Sequence, residues 1–178
     1  MEGGKALDFF DVVKERHAIR AYRAQPIEPE KLQQILEAIN CAPSAGNMQA
    51  YEVYVVFNAK RKTALVKAAY DQEFLAQAPI VLVFCAHAAR SANRYGKRGI
   101  DLYCVQDATI ACTFAMLAAT AFGLSTVWVG AFDEGEVRRV INAPQAHRPV
   151  VMLPMGHAAE SPRIRPRRSL SDLVHRIP

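Results

Sequence analysis

The stretch "QDATIACTFAMLAATAFG", Gln106 to Gly123, constrains the fold more than any other part of this sequence. It has the composition of a helix and is apolar on nearly every side. Such a helix is either buried or crosses a membrane. The uncharged part, Ala108 to Gly123, is short and rich in Ala and Thr, whereas a membrane span needs about 20 strongly apolar residues. The reading is therefore a buried central helix over about residues 100–122, ended by Gly123. A chain of 178 residues has the size of one domain. One small domain has little with which to cover such a helix on all sides. The second face is expected to pack on another copy of the chain, and a charge at Ala115 or Ala119 is expected to disrupt assembly.

The elements around it alternate irregularly. Residues 7–16 read as a short helix with Phe9, Val12 and Val13 on one face. "PIEPEKLQQILEAINCA" reads as a longer one: Pro29 suits a first turn, Leu32, Ile35, Leu36 and Ile39 keep helical spacing, and Pro43 stops it. "YEVYVVF" is aromatic and β-branched, hence a strand. Residues 60–69 look helical, and "PIVLVFCAH" reads as a strand covered on both faces. After the central helix come a strand in "LSTVWVGAF", a short helix in "DEGEVRRVIN" and a strand in "RPVVMLPMGH". Mixed helix and strand with this much helix predict a three-layer α+β sandwich rather than a strict βαβ repeat. The last twenty residues carry little core and read as an arm able to reach across a partner copy. No composition shift divides the chain, so residues 1–178 read as a single domain, with about 157–178 as the extension.

Composition excludes some functions and favours none. The chain is 51% hydrophobic and 22% charged, as expected of a soluble globular protein. Its N-terminus lacks the basic-then-apolar order of a signal peptide. Cys41, Cys85, Cys104 and Cys112 form no CxxC pair, and each sits in an apolar pattern, so four buried free thiols in a reducing, cytoplasmic setting are expected. His17, His87, His147, His157 and His175 show no metal-ligand spacing, and no metal is expected. Asp71/Glu73 and Asp133/Glu134 fall at turns and helix starts, where capping explains them. The net charge of +5 is concentrated in "RHAIRAYR", "RSANRYGKR" and "RIRPRR". No helix-turn-helix, zinc-finger or RNP pattern accompanies this charge, so nucleic acid is not the expected partner. GxGxxG, GxxxxGKS/T, HExxH and GxSxG are all absent.

Four segments carry a resemblance instead. "ERHAIRAYR", "APSAGNMQAYEVYVV", "GLSTVWVGAFDEGEVRRVIN" and "RPVVMLPMGH…RIRPRRSLSDLVH" resemble, in order and spacing, the motifs of the FMN-dependent nitroreductase family. The resemblance covers nearly the whole chain. It implies a mainly antiparallel sheet flanked by helices in a homodimer with exchanged C-terminal arms. It further implies FMN as cofactor, NADH or NADPH as reductant, and ping-pong hydride transfer through flavin N5 to a nitroaromatic, a quinone or a similar small acceptor. Members of the same fold also fragment flavins, remove halogens or dehydrogenate rings, and no residue here selects among these chemistries. Departures from the pattern are Ala18 for the usual Ser, Ala50-Tyr51 for Pro-Trp, Thr113-Phe114 for Gln-Asn, and a missing helical insertion over the site.

The chemistry of FMN gives independent reasons for these residue types. A phosphate near −2 calls for guanidinium forks, and Arg16, Arg165 and Arg167 are the candidates beside His17 and Ala18. By the resemblance, Arg20 lies under the pyrimidine end, where a fixed cation stabilises the reduced ring. Ser44 and Asn47 would supply hydrogen bonds to a flavin bound mainly by the other subunit, with Pro43 and Ala45 lining the ring. The turn at Val129, Gly130 and Ala131 would bring a backbone N–H towards N5, where close approach needs a small residue. Read without the resemblance, the 43–47 stretch is an ordinary helix-ending turn.

Overall fold

A computed structural model describes residues 7–178. Helix α1 spans Phe9–Glu15 and α2 Pro29–Asn40. A 3₁₀ turn at Ala45–Asn47 leads into strand β1, Tyr51–Val56. Then follow α3 (Ala59–Ala68), the single turn α4 (Phe74–Gln77) and β2 (Ile80–His87). Helix α5 (Ala88–Arg98) runs through a π-turn at Gly99–Tyr103 into α6 (Cys104–Ala121). The chain closes with β3 (Ser125–Thr126), α7 (Glu134–Val140), β4 (His147–Gly156) and α8 (Leu170–Leu173). The expected α+β sandwich is present. Four antiparallel strands lie in the order β1-β2-β4-β3.

The period-2 alternation of the two inner strands makes the layers. Leu82 and Phe84 of β2, with Val151 and Leu153 of β4, face α2 and α6. Val81, Val83, Cys85 and Met152 point the other way, into α3 and α7. β2 is therefore apolar throughout, as a strand covered on both faces must be. α6 meets the first layer through Ala108, Ala111, Cys112, Ala115 and Ala119, all fully buried. Ala115 and Ala119 thus lie inside the chain's own core rather than on a second face. The outward stripe of α6 is Gln106, Thr113, Leu117 and Ala121, at helical spacing. By length and hydropathy the run Ala88–Ala121 would qualify as a membrane span; the eight buried residues of α6 and its seat on β2 and β4 make it a core helix.

Three further expectations are corrected, and one unassigned segment gains a structure. The strand in "LSTVWVGAF" is only two residues long, with one further bridge from Val129 to Met152. The register from Thr126↔Met155 to Val129↔Met152 puts Pro154 opposite Val127. That is a hydrogen-bonded position of the ladder, and proline has no N–H to donate. Helix α1 is present as expected and packs on α6 through Val12, but Phe9, Phe10 and Val13 are exposed, so most of its apolar side chains are not covered among the described residues. "RSANRYGKR", unassigned in the sequence, is helix α5. Cys41 is exposed because it caps α2 at its outer end, whereas Cys85, Cys104 and Cys112 are buried as expected. Burial pushes the Cys85 thiol up to about 12 and raises those of Cys104 and Cys112 as well. Thiolates are the reactive form, so iodoacetamide at neutral pH should modify Cys41 alone in the native protein and all four cysteines after denaturation, read by intact mass.

Candidate functional site

The 41–50 loop is built to stay open at the surface while its backbone is held from below. Gly46, Asn47 and Gln49 all adopt positive φ, at 55°, 57° and 49°. Gly, and then Asn, is the residue that accepts this conformation at least cost. The buried carboxylate of Asp107 on α6 ties the loop down, accepting the N–H of Ala45 at 3.0 Å and of Ala50 at 3.2 Å. Ser44 Oγ accepts from the Gln49 N–H at 2.9 Å, and Asn47 Oδ1 from Gln49 Nε2 at 3.2 Å. The Ser44 hydroxyl hydrogen and the Asn47 amide N–H groups are then left to donate outward, which suits a ligand rich in acceptors. Pro43 is exposed beside them, and Ala45 half-buried. Helix α5 lies over the loop: Arg90 Nε donates to the Met48 carbonyl at 3.3 Å, and Arg94 and Tyr95 crowd Gly46 so closely that a Cβ there would clash.

The basic stretch 16–23 runs along a different border. Ala18 bridges Thr126, Ile19 N–H donates to the Thr126 carbonyl at 3.1 Å, and Arg23 N–H to the His157 carbonyl at 2.9 Å. Here a cleft of about 230 Å³ opens between Glu15, His17 and Ile19 on one side and Thr120, Gly123, Ser125, Ala158 and Pro162 on the others. Arg16 and His17 are half-buried; Ala18 and Arg20 are exposed. His17 Nδ1–H donates to the Glu15 carbonyl at 2.8 Å, which fixes the tautomer and frees Nε2. Two buried polar atoms on this border, Thr126 Oγ1 and His157 Nε2, have no hydrogen-bond partner among the described residues. Buried polar groups are ordinarily satisfied, so such orphans mark a place where something polar is missing.

The third segment follows β3. Val129 is buried and exchanges two backbone hydrogen bonds of 3.0 Å with Met152. The chain then turns outward at exposed Gly130 and Ala131, where Gln72 Nε2 holds the Ala131 carbonyl at 3.0 Å. Gly130 lines a small cavity of about 110 Å³ with Val105, Val150 and the Arg148–Glu134 ion pair, closed at 2.8 Å.

The predicted residues do not converge within one chain. The 16–20 segment runs past the C-terminal end of α6, where His17 shares a cleft with Thr120 and Ala18 bridges Thr126. Pro43, Ser44, Ala45 and Asn47 gather over Asp107, near its N-terminal end. Thirteen residues separate Asp107 from Thr120, about 20 Å at the helical rise of ~1.5 Å per residue. The 16–20 cleft is also smaller than the roughly 300–1,000 Å³ of a pocket that encloses a whole ligand. Arg165 and Arg167 lie on the exposed arm and, among the described residues, enter no ion pair, whereas Arg168 is held by Asp172 at 2.6 Å. Sequence reasoning missed Asp107, although a lone carboxylate in an apolar helix is the signal for a buried, hydrogen-bonded anion. It also missed the orphans Thr126 and His157, for which the sequence carries no signal.

Comparison with known proteins agrees with this fold. A family model described as "Nitroreductase family" matches residues 13–72 and 58–157. The FMN reductase [NAD(P)H] of Bacillus subtilis is 32% identical over 86% of this chain and 67% of its own. An NADH dehydrogenase of Thermus thermophilus is 28% identical, over 86% of this chain and 88% of its own. The crystal structure of nitroreductase A from Vibrio parahaemolyticus superposes with a TM-score of 0.87 at 26% identity, covering 96% of this chain and 76% of that one.

The Asp107 clasp can be tested apart from any chemistry. Asp107→Asn keeps the shape but replaces one acceptor oxygen by a donor, leaving one buried backbone N–H facing an N–H. Such an unpaired group costs about 1–3 kcal/mol. Hydrogen exchange should accelerate in residues 44–50 while the sheet amides keep their protection; uniform acceleration across the chain would mean that Asp107 serves the fold as a whole.

Proposed function

This chain belongs to the nitroreductase family, and we propose that it is an FMN-dependent NAD(P)H oxidoreductase acting on small electron acceptors such as nitroaromatics or quinones. The observation that carries this reading is the separation of the two binding segments along α6. Two copies related by a two-fold axis, packed through the outward stripe of α6, would place the Ser44–Asn47 loop of one beside the Arg16–Arg20 segment of the other, twice. The isolated chain has the matching exposed apolar surface: Phe9, Phe10 and Val13 on α1, and Ile164, Leu170, Leu173 and Ile177 on the arm.

Each residue set suits one part of FMN. Arg16, joined by Arg165 and Arg167 as the arm folds back, would hold the phosphate. The unpartnered Thr126 and His157 atoms offer further hydrogen bonds on the same border. Arg20 would set a positive charge at the pyrimidine end. Ser44 and Asn47 of the partner would donate to the ribityl chain or ring edge, with Pro43 and Ala45 against the ring face. The turn Val129–Ala131 would present a backbone N–H where only Gly130 allows close approach. When bound, FMN supplies the redox chemistry, taking a hydride from NAD(P)H and passing electrons to the acceptor. The protein's share is binding, orientation and electrostatics, which explains why no catalytic triad or acid–base pair is needed. The surroundings are reducing and cytoplasmic on this reading, consistent with the free thiols.

Purified protein should show the absorbance of bound flavin, bleached anaerobically by NADH or NADPH and restored by a quinone, with parallel-line steady-state kinetics. Protein that neither retains nor takes up FMN would overturn the proposal. Arg16→Ala should raise the FMN dissociation constant about 10- to 150-fold, since a charge-assisted bond contributes about 1.5–3 kcal/mol, and leave riboflavin binding unchanged. A mixed dimer of Asn47→Ala and Arg16→Ala chains should keep one intact site of two. Thr113→Glu or Leu117→Glu, on the outward stripe, should give monomers by light scattering and lose flavin with assembly.

A further inference from the structure

We propose that Glu52, His87 and His147 form a binding site for a divalent transition metal of the zinc class, separate from the cofactor residues. The sheet register brings them together although the chain spreads them over 95 positions. Glu52 on β1 is paired with Cys85 on β2, so it stands on the same face as His87, two residues further on. His87 is in turn paired with His147, the first residue of β4, after the bulge between Phe84 and Cys85 resets the register. One ligand atom of each of the three lies within 4.8 Å of the other two. Glu52 Oε1 and His87 Nδ1 are 3.0 Å apart, and the two imidazoles have centroids 4.7 Å apart. An ion with bonds of about 2.0–2.1 Å in tetrahedral array needs ligand atoms roughly 3.3 Å apart; the Glu52–His87 pair is already near this spacing, and a pair at the 4.8 Å limit would close by about 1.5 Å.

Two imidazoles and a carboxylate with a position left for water are a donor set suited to zinc, nickel or copper and poorly suited to calcium or magnesium. The outer sphere is also in place. His147 Nδ1 is 2.6 Å from the Tyr54 hydroxyl. With Nδ1–H donating to that oxygen, Nε2 is left free for the metal, the arrangement that orients ligating histidines generally. The side chains of His87 and Glu52 are 22% and 36% exposed, sheltered but open to an ion from solvent. The adjacent cation Arg148 is neutralised by Glu134 at 2.8 Å. Arg138 of α7 also carries positive charge towards Cys85 on β2, and Arg90 shares a cleft with Glu52.

The FMN-loaded protein, stripped with chelator, should be titrated with zinc chloride by calorimetry and against a chromophoric chelator. The parent should bind one zinc equivalent more than the His87→Ala/His147→Ala double variant. Glu52→Gln should weaken that equivalent at least tenfold, and Tyr54→Phe about 10- to 100-fold through loss of the outer-sphere bond. Zinc should raise the melting temperature of the parent and not of the double variant, and magnesium should do neither. Equal zinc counts in parent and double variant, or no effect of Glu52→Gln, would overturn the site and leave the trio a hydrogen-bonded network. Should the double variant misfold, zinc-edge anomalous diffraction from a soaked parent crystal decides: a peak among the three side chains supports the site, and a peak elsewhere or none overturns it.

Discussion

Helix α6 can lie across the middle of the molecule only because the face it turns to the sheet is made of small side chains. Ala108, Ala111, Cys112, Ala115 and Ala119 are fully buried against β2 and β4. Larger residues there would force the helix away from the sheet or leave voids, and interiors tolerate neither. The close seat brings the buried Asp107 carboxylate within reach of two backbone N–H groups of the 41–50 loop. The same helix ends at Thr120 beside the 16–20 segment. Its length therefore spaces the two candidate segments, and its inner face fixes where each can stand.

On the proposed reading, that spacing calls for a second chain. A rigid helix cannot be shortened, so one flat cofactor touching both segments needs them to come from different copies. In such a dimer the outward stripe of α6, the exposed apolar residues of α1 and the exposed arm would be parts of one arrangement. Isolated exposed apolar residues are common; their concentration on the elements adjoining α6 and on the arm is what gives them meaning.

Much of this was legible in the residues. The periodicity of α2, the continuous apolar run of β2 and the all-round apolar α6 identified the layers, because burial on one face, two faces or all sides leaves distinct patterns. Strand β3 was overread because the cause of its shortness, Pro154, sits on another strand and acts through register. Helix α5 escaped because its residues are polar and it is held by contacts with the distant 44–48 loop. The candidate site residues were picked out as local motifs, but their mutual distance was not legible, since it depends on α6 as a ruler. The Glu52, His87 and His147 cluster was hidden for a similar reason: it is adjacent across strands and remote along the chain.

A composite site also couples assembly to cofactor binding. If FMN contacts both subunits, the factor by which dimerisation raises FMN affinity equals the factor by which FMN tightens the dimer. Arg165 and Arg167 bear on both terms. In the isolated chain they stand on an exposed arm among other cations, unpaired among the described residues, so ordering the arm there would cost conformational entropy and concentrate like charge. A dianionic phosphate beneath the arm reverses the electrostatic sign, and burial of Ile164 and Leu170 against a partner would add an apolar contribution. Neither contribution is available to one chain without cofactor. On the proposed reading, the arm's exposure in the single chain fits the charge and apolar pattern of residues 157–178, and the energy that orders it would come from the two associations together.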